Sequence, residues 1–130
     1  MKIYLAAKYA RKDEIQLVAT LLEQLGHKIT ATWFGEKYKP GVQMKQLRHD
    51  THVKIAGRDL KEIAKADALV FFAEDQNNQP PRGGRHVEFG YALGLGKKVY
   101  VVGERENIFH HLPRVTMVPT VDELFKKLEK

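Results

Sequence analysis

Residues Ala68-Leu69-Val70-Phe71-Phe72-Ala73 form an unbroken apolar run, and no other segment limits the possible folds so tightly. The run has the length of a strand rather than a helix, and its branched and aromatic members favour extended backbone. A strand without a polar face must be covered on both sides, as at the centre of a parallel sheet. Parallel strands in turn need crossover connections of about a dozen residues or more, usually helices.

The flanking segments meet that need. Ile3 to Ala7 is a second short apolar run. Ile15, Val18, Ala19, Leu22 and Leu25 then recur at helical spacing, with Gly26 as the stop. His27 to Phe34 alternates through Ile29, Ala31 and Trp33 and reads as a strand. Gly35 to Val42, containing Pro40 and Gly41, reads as a loop, and Val53, Ala56, Leu60, Ile63 and Ala64 mark a second helix. After the central run come a polar loop, Glu74 to Arg82, and a helix from about Arg85 to Leu95. Val99 to Val102 is a further strand, and Glu104 to His111 a loop with a short helical turn. Thr116 to Val118 is a fifth strand, and a capping box of Thr120 and Glu123 opens the last helix. The glycines of Gly90 to Gly96 suit close helix–sheet packing and a helix stop. The pattern predicts a three-layer α/β/α sandwich with about five mainly parallel strands, in one domain spanning residues 1–130.

Composition narrows the function classes. No apolar stretch approaches the roughly 18 residues of a membrane helix, and the opening Met1 to Ala7 is too short for a signal peptide. The chain has no cysteine, which excludes disulfides and thiolate chemistry and fits a reducing cytoplasm. Its formal charge is +6, but the basic residues are scattered: Lys97 and Lys98 at a helix end, Lys126, Lys127 and Lys130 in the last helix. Without a basic stripe interleaved with aromatics, a nucleic-acid groove is not expected, whereas a small phosphorylated ligand could use the same charge locally.

Chemistry concentrates in Gly83-Gly84-Arg85-His86-Val87-Glu88-Phe89-Gly90-Tyr91-Ala92. Following a strand and a polar loop, this helix start would lift Glu88 to the carboxyl edge of the sheet, where α/β proteins bind ligands. Placed in the first turn, Glu88 would be kept ionised by the helix dipole, as a carboxylate attacking a sugar carbon must be. The competing reading is a first-turn acid that only complements the dipole. Arg82, Gly84, Arg85 and His86 around the glycine pair suggest an anion cradle, against plain solubility. Tyr4 in the first strand reads either as a core tyrosine or as a partner of a polar group at the site. Asp59 reads as part of a solvated helix face or as a site acid. Trp33, with Phe34 and the 75–81 loop, is a candidate for shaping a ligand pocket. The pairs His49/His52 and His110/His111 lack companion ligands, so neither metal nor cofactor is expected.

These residues together resemble the nucleoside 2-deoxyribosyltransferase superfamily, which includes 2′-deoxynucleoside 5′-monophosphate N-hydrolases. The resemblance runs through Lys2-Ile3-Tyr4-Leu5-Ala6, Asp59-Leu60, Ala66-Asp67 with the apolar strand, Val87-Glu88-Phe89-Gly90-Tyr91-Ala92 and Gly96-Lys97-Lys98-Val99. It implies a flavodoxin-like or Rossmann-like sandwich that cleaves an N-glycosidic bond. Glu88 would attack C1′ and form a covalent glycosyl-enzyme, Tyr4 would position Glu88, and Asp59 would bind the sugar or protonate the leaving base. Water or an acceptor base would then resolve the intermediate.

Transferases of the superfamily carry an acid six positions before the glutamate, and here that position is Arg82. The departure points to a 5′-phosphorylated substrate and to hydrolysis over base exchange, with Glu74 or Asp75 as substitutes for the missing acid. The resemblance also implies a homodimer or larger homo-oligomer, with Asn107, His110 or His111 reaching a neighbouring subunit's pocket. Two alternatives stand beside it: a phosphoribohydrolase of the cytokinin-activating type, whose glycine-rich run Arg85-His86-Val87 does not fit, and a non-catalytic nucleotide-binding module.

Overall fold

A computed structural model describes residues 1–35, 48–75 and 83–129. Five strands, β1 (Lys2–Ala6), β2 (Lys28–Ile29), β3 (Ala68–Phe72), β4 (Lys98–Val102) and β5 (Val115–Val118), form one sheet in the order β2-β1-β3-β4-β5. Every pairing is parallel. The helices are α1 (Lys12–Gln24), α2 (His49–Lys65), α3 (Gly84–Gly94) and α4 (Val121–Leu128), with 3₁₀ turns at Tyr9–Arg11, Trp33–Gly35 and Ile108–His111. This is the three-layer α/β sandwich that the sequence predicts.

The central run behaves as its composition requires. All five residues of β3 are fully buried, and burying an aromatic such as Phe71 contributes about 1.5–3 kcal/mol. Helices α2 and α3 pack on one another, and both contact β1. The right-handed crossover rule places α1 on the opposite face. From β1 the chain steps to β2 on one side and then to β3 on the other. That reversal opens a crevice at the carboxyl ends of β1 and β3, where ligands bind in this class of sheet.

Three local expectations need correction. The expected strand His27 to Phe34 shrinks to Lys28–Ile29, and Trp33–Gly35 turns into a 3₁₀ helix. The alternation of Ala31 and Trp33 reports burial, not a ladder: among the described residues β2 is an edge strand paired with β1 alone. Second, Gly90 and Gly94 are exposed, and an added Cβ at either would meet nothing within 4 Å, so they do not serve close helix–sheet packing. Gly96, at φ +76°, does supply the helix stop. Third, Glu88 lies in the second turn of α3, because the helix already begins at Gly84 and its first turn holds no acid. Gly83 caps that helix at φ +94°, a left-handed backbone conformation that glycine adopts without penalty. The loop expected from Gly35 to Val42 falls, after Gly35, outside the described residues.

Candidate functional site

Tyr4 projects from the middle of β1, fully buried, and its phenol donates a hydrogen bond to Oε2 of Glu88 on α3. Burial, and next the neighbouring Glu88 charge, push the Tyr4 phenol far above its ordinary range. Its proton therefore stays on and is always available to donate. The Glu88 carboxyl is pushed up to about 8, chiefly by burial, with further increases from the Asp59 and Glu62 charges. The Tyr4 hydrogen bond and Arg58 oppose the rise. Glu88 lies beyond the first turn of α3, where the field of the helix dipole has fallen off.

Helix α2 supplies the rest of this cluster. Asp59 accepts from Nε and Nη2 of Arg58 at 3.2 and 2.9 Å. Burial raises the Asp59 carboxyl above the usual range, against the lowering effect of that guanidinium. Glu62, one turn on, accepts from the Thr32 N–H at 3.0 Å and the Thr32 hydroxyl at 2.7 Å. Three carboxylates and a phenol thus share one guanidinium among the described residues. Such a cluster can hold a proton on one carboxyl while another is ionised, which is what nucleophile-plus-acid chemistry needs.

Trp33 closes the side beside β1. Its indole N–H donates to the Leu5 carbonyl at 2.7 Å, and its ring meets Tyr9 and Phe34 at centroid distances of 6.3 and 5.5 Å. The anchored indole fixes the ring rather than reading a ligand with its N–H.

The opposite rim is built on Glu106, which accepts from Arg85 Nη1 and Nη2 at 2.5 and 2.7 Å and from the Glu74 N–H at 2.9 Å. Arg85 was expected to face an anion. Instead its side chain is 2% exposed and its guanidinium carbon lies 4.7 Å from the Phe71 ring centroid, so its charge is spent on Glu106. The neighbouring Gly84, the first residue of α3, is exposed. His86 keeps an open face, with Nε2 3.8 Å from Glu106 and Nδ1 3.5 Å from Asn107 Nδ2. Burial, then the Arg85 charge, lowers its pKa, so it is mostly neutral near pH 7.

His110 corrects a second expectation. It is completely buried, with its ring 4.9 Å from those of both Phe71 and Phe89, and so reaches no neighbouring subunit. Its Nδ1 accepts from the Glu106 N–H at 3.0 Å, which assigns the ring proton to Nε2, and burial lowers its pKa. His111 is exposed, and Asn107 caps the turn by accepting from the Phe109 N–H. Glu74, a candidate substitute acid, is paired with Arg11 at 3.0 Å. Arg82 and most of the 75–81 loop lie outside the described residues. No group of three or more His, Cys, Asp or Glu among the described residues is arranged to hold a metal ion.

The structure thus gathers Tyr4, Asp59 and Glu88 into one cluster and sets Trp33 and His86 around the same sheet edge. Sequence reasoning missed Glu62, Thr32 and Glu106. Glu62 left a trace, since it stands three residues after Asp59 on the same helix face. Glu106 left none, because no periodicity links it to Arg85.

The sequence pattern of the family described as nucleoside 2-deoxyribosyltransferase matches residues 3–118. The chain belongs to this family. No curated protein matches the sequence. Among solved structures, the fold is similar to that of the Clostridium botulinum CMP N-glycosidase BcmB. The TM-score is 0.63 at 22% identity, over 98% of this chain and 98% of that one. It is also similar to the 2-deoxyribosyltransferase of Bacillus psychrosaccharolyticus, with a TM-score of 0.67 at 22% identity, over 99% of this chain and 96% of that one. Members of the family act on nucleosides or nucleotides.

Proposed function

We propose that this protein is a nucleotide N-glycosidase that cleaves the bond between C1′ and the base of a nucleoside 5′-monophosphate, ribo or 2′-deoxy. The observation that carries the reading is the Tyr4 phenol donating to Glu88, with Asp59 in the same cluster. The ionised Glu88 attacks C1′, the C1′–N bond breaks, and its electron pair leaves with the base. Asp59 in its protonated form delivers a proton to that base, making it a better leaving group. Water then attacks C1′ of the glycosyl-Glu88 ester, gives its proton back to Asp59 and frees Glu88. Tyr4 holds one carboxylate oxygen so that the other faces C1′. This is the double displacement of a retaining glycosidase.

The phosphate is assigned to the start of α3. The first N–H groups of a helix lack intrahelical partners and favour an anion, Gly84 leaves room for one, His86 stands in the same turn, and Arg82 precedes it in the sequence. Trp33 and Phe34 form the wall for the base. The similarity to a CMP N-glycosidase accords with a 5′-monophosphate substrate. The second reading, base exchange, is favoured by the family's description and opposed by arginine at position 82.

We also infer a homodimer. Val87 and Tyr91 on α3, with Leu95 just after its end, expose one apolar stripe, and Ile108, Phe109 and Leu112 expose another. The contact between Asn107 and His86 brings the two together beside the site, where Asn107 or His111 would face the partner's pocket.

Liquid chromatography of reactions with nucleosides and 5′-monophosphates, with and without a second free base, tests the reading. Base released from monophosphates alone is the expected result. A new nucleoside formed only with added base would make the protein a transferase and overturn the inference from Arg82.

A further inference from the structure

Glu62 has no role in the steps above, yet its surroundings are specific. Two hydrogen bonds from Thr32 fix its carboxylate at the loop leading to Trp33. Its Oε1 lies 4.0 Å from Arg58 Nε, and the same guanidinium is bonded to Asp59. The side chains of Glu62 and Asp59 are 14% and 18% exposed, so water screens their charges poorly. We propose that Glu62 is a positioning residue of this site: pinned by Thr32, it draws on the Arg58 charge in competition with Asp59 and so keeps a proton within the Asp59–Glu88 pair. This rests on the nucleotide N-glycosidase reading.

The electrostatics point the same way. At Asp59 burial raises the carboxyl, Arg58 opposes the rise, and the Glu62 charge adds to the effect of burial. Among the described residues, the charged or titratable groups that act most on Glu88 belong to β1 or α2: Tyr4, Asp59, Glu62 and Arg58. Asp59 responds to Arg58 and Glu62. Glu62 raises both carboxyls without a hydrogen bond to either, so its removal should lower both. It also links the Trp33 wall to the Asp59 helix, which sets the distance between base and acid.

Glu62→Gln tests this because glutamine keeps the shape and can still accept from the Thr32 N–H while losing the charge. Carboxyl carbon-13 NMR titration of the full chain would follow Glu88 and Asp59, assigned from the Glu88→Gln and Asp59→Asn spectra. In Glu62→Gln the Glu88 midpoint should fall from near 8 by about half a unit or more, and the acid limb of kcat/KM should move with it. Glu62→Asp, which restores the charge, should return both toward wild type. Thr32→Val, which removes one anchor, should shift them in the same direction by less. Unmoved midpoints in Glu62→Gln, or Glu62→Asp behaving like Glu62→Gln, would overturn the proposal. Should the wild-type protein release no base from any nucleotide, the reaction itself is misread. The NMR midpoints then still decide whether Glu62 governs the pair.

Discussion

In an unfolded chain the Glu88 carboxyl titrates near its ordinary value of 4.5, whereas burial in the fold pushes it up to about 8. Between those values the folded protein holds a proton that the unfolded chain has released. Stability therefore falls as pH rises through that window, and the loss is complete above it. Glu88→Gln removes the titration, so the variant should be more stable than wild type at pH 9 by on the order of 2–4 kcal/mol. That gain should vanish near pH 4, as urea melts at the two pH values would show. The same substitution should abolish base release, since an amide cannot attack C1′. For the wild type, kcat/KM should rise with pH as Glu88 ionises near 8 and fall again once Asp59 has lost the proton it must donate. Tyr4→Phe removes the donor that favours the ionised form, so the limb should move to higher pH. A hydrogen bond to a charged group is worth about 1.5–3 kcal/mol, hence kcat/KM should drop roughly tenfold to a hundredfold. Steady-state rates across a pH series check both.

At the scale of elements, the Arg85–Glu106 pair ties the first turn of α3 to the segment after β4, and the Glu74 N–H ties in the end of β3. Glu106→Ala leaves a buried guanidinium uncompensated and should cost about 3–5 kcal/mol, whereas Arg85→Met combined with Glu106→Leu should cost much less. Denaturant midpoints of the three proteins decide it. Thr120 accepts from the Glu123 N–H at 3.2 Å at the start of α4, and Thr120→Ala should cost about 1 kcal/mol. That cap was legible in the sequence because its signal is local, as was β3, whose composition permits only a central position. The shortened β2 was not: the alternation at Ala31 and Trp33 records which side chains are buried and carries no information on whether a second strand borders them. Glu88 at the sheet edge was legible from the order of strand, loop and helix. Its raised pKa was not, because burial and the charges of α2 are tertiary facts. For the same reason Arg85 read as an anion ligand until its partner, 21 residues away, came into view.

Across the whole molecule, the doubly wound sheet brings β1, α2 and α3 together although Tyr4 and Glu88 are 84 residues apart. Any nucleophile–positioner pair assembled over such a distance depends on the complete sheet, so the site should be lost with global unfolding rather than frayed locally. The apolar stripes on α3 and the 108–112 turn predict a dimer in sedimentation velocity, and Tyr91→Glu should convert it to monomer with reduced turnover. The most direct test of Glu88 as nucleophile is mass spectrometry of acid-quenched reactions with nucleoside 5′-monophosphates, followed by peptide mapping. A glycosyl-phosphate increment on the peptide carrying Glu88, absent from Glu88→Gln, is the predicted result. Base release with no adduct, undiminished in Glu88→Gln, would contradict it.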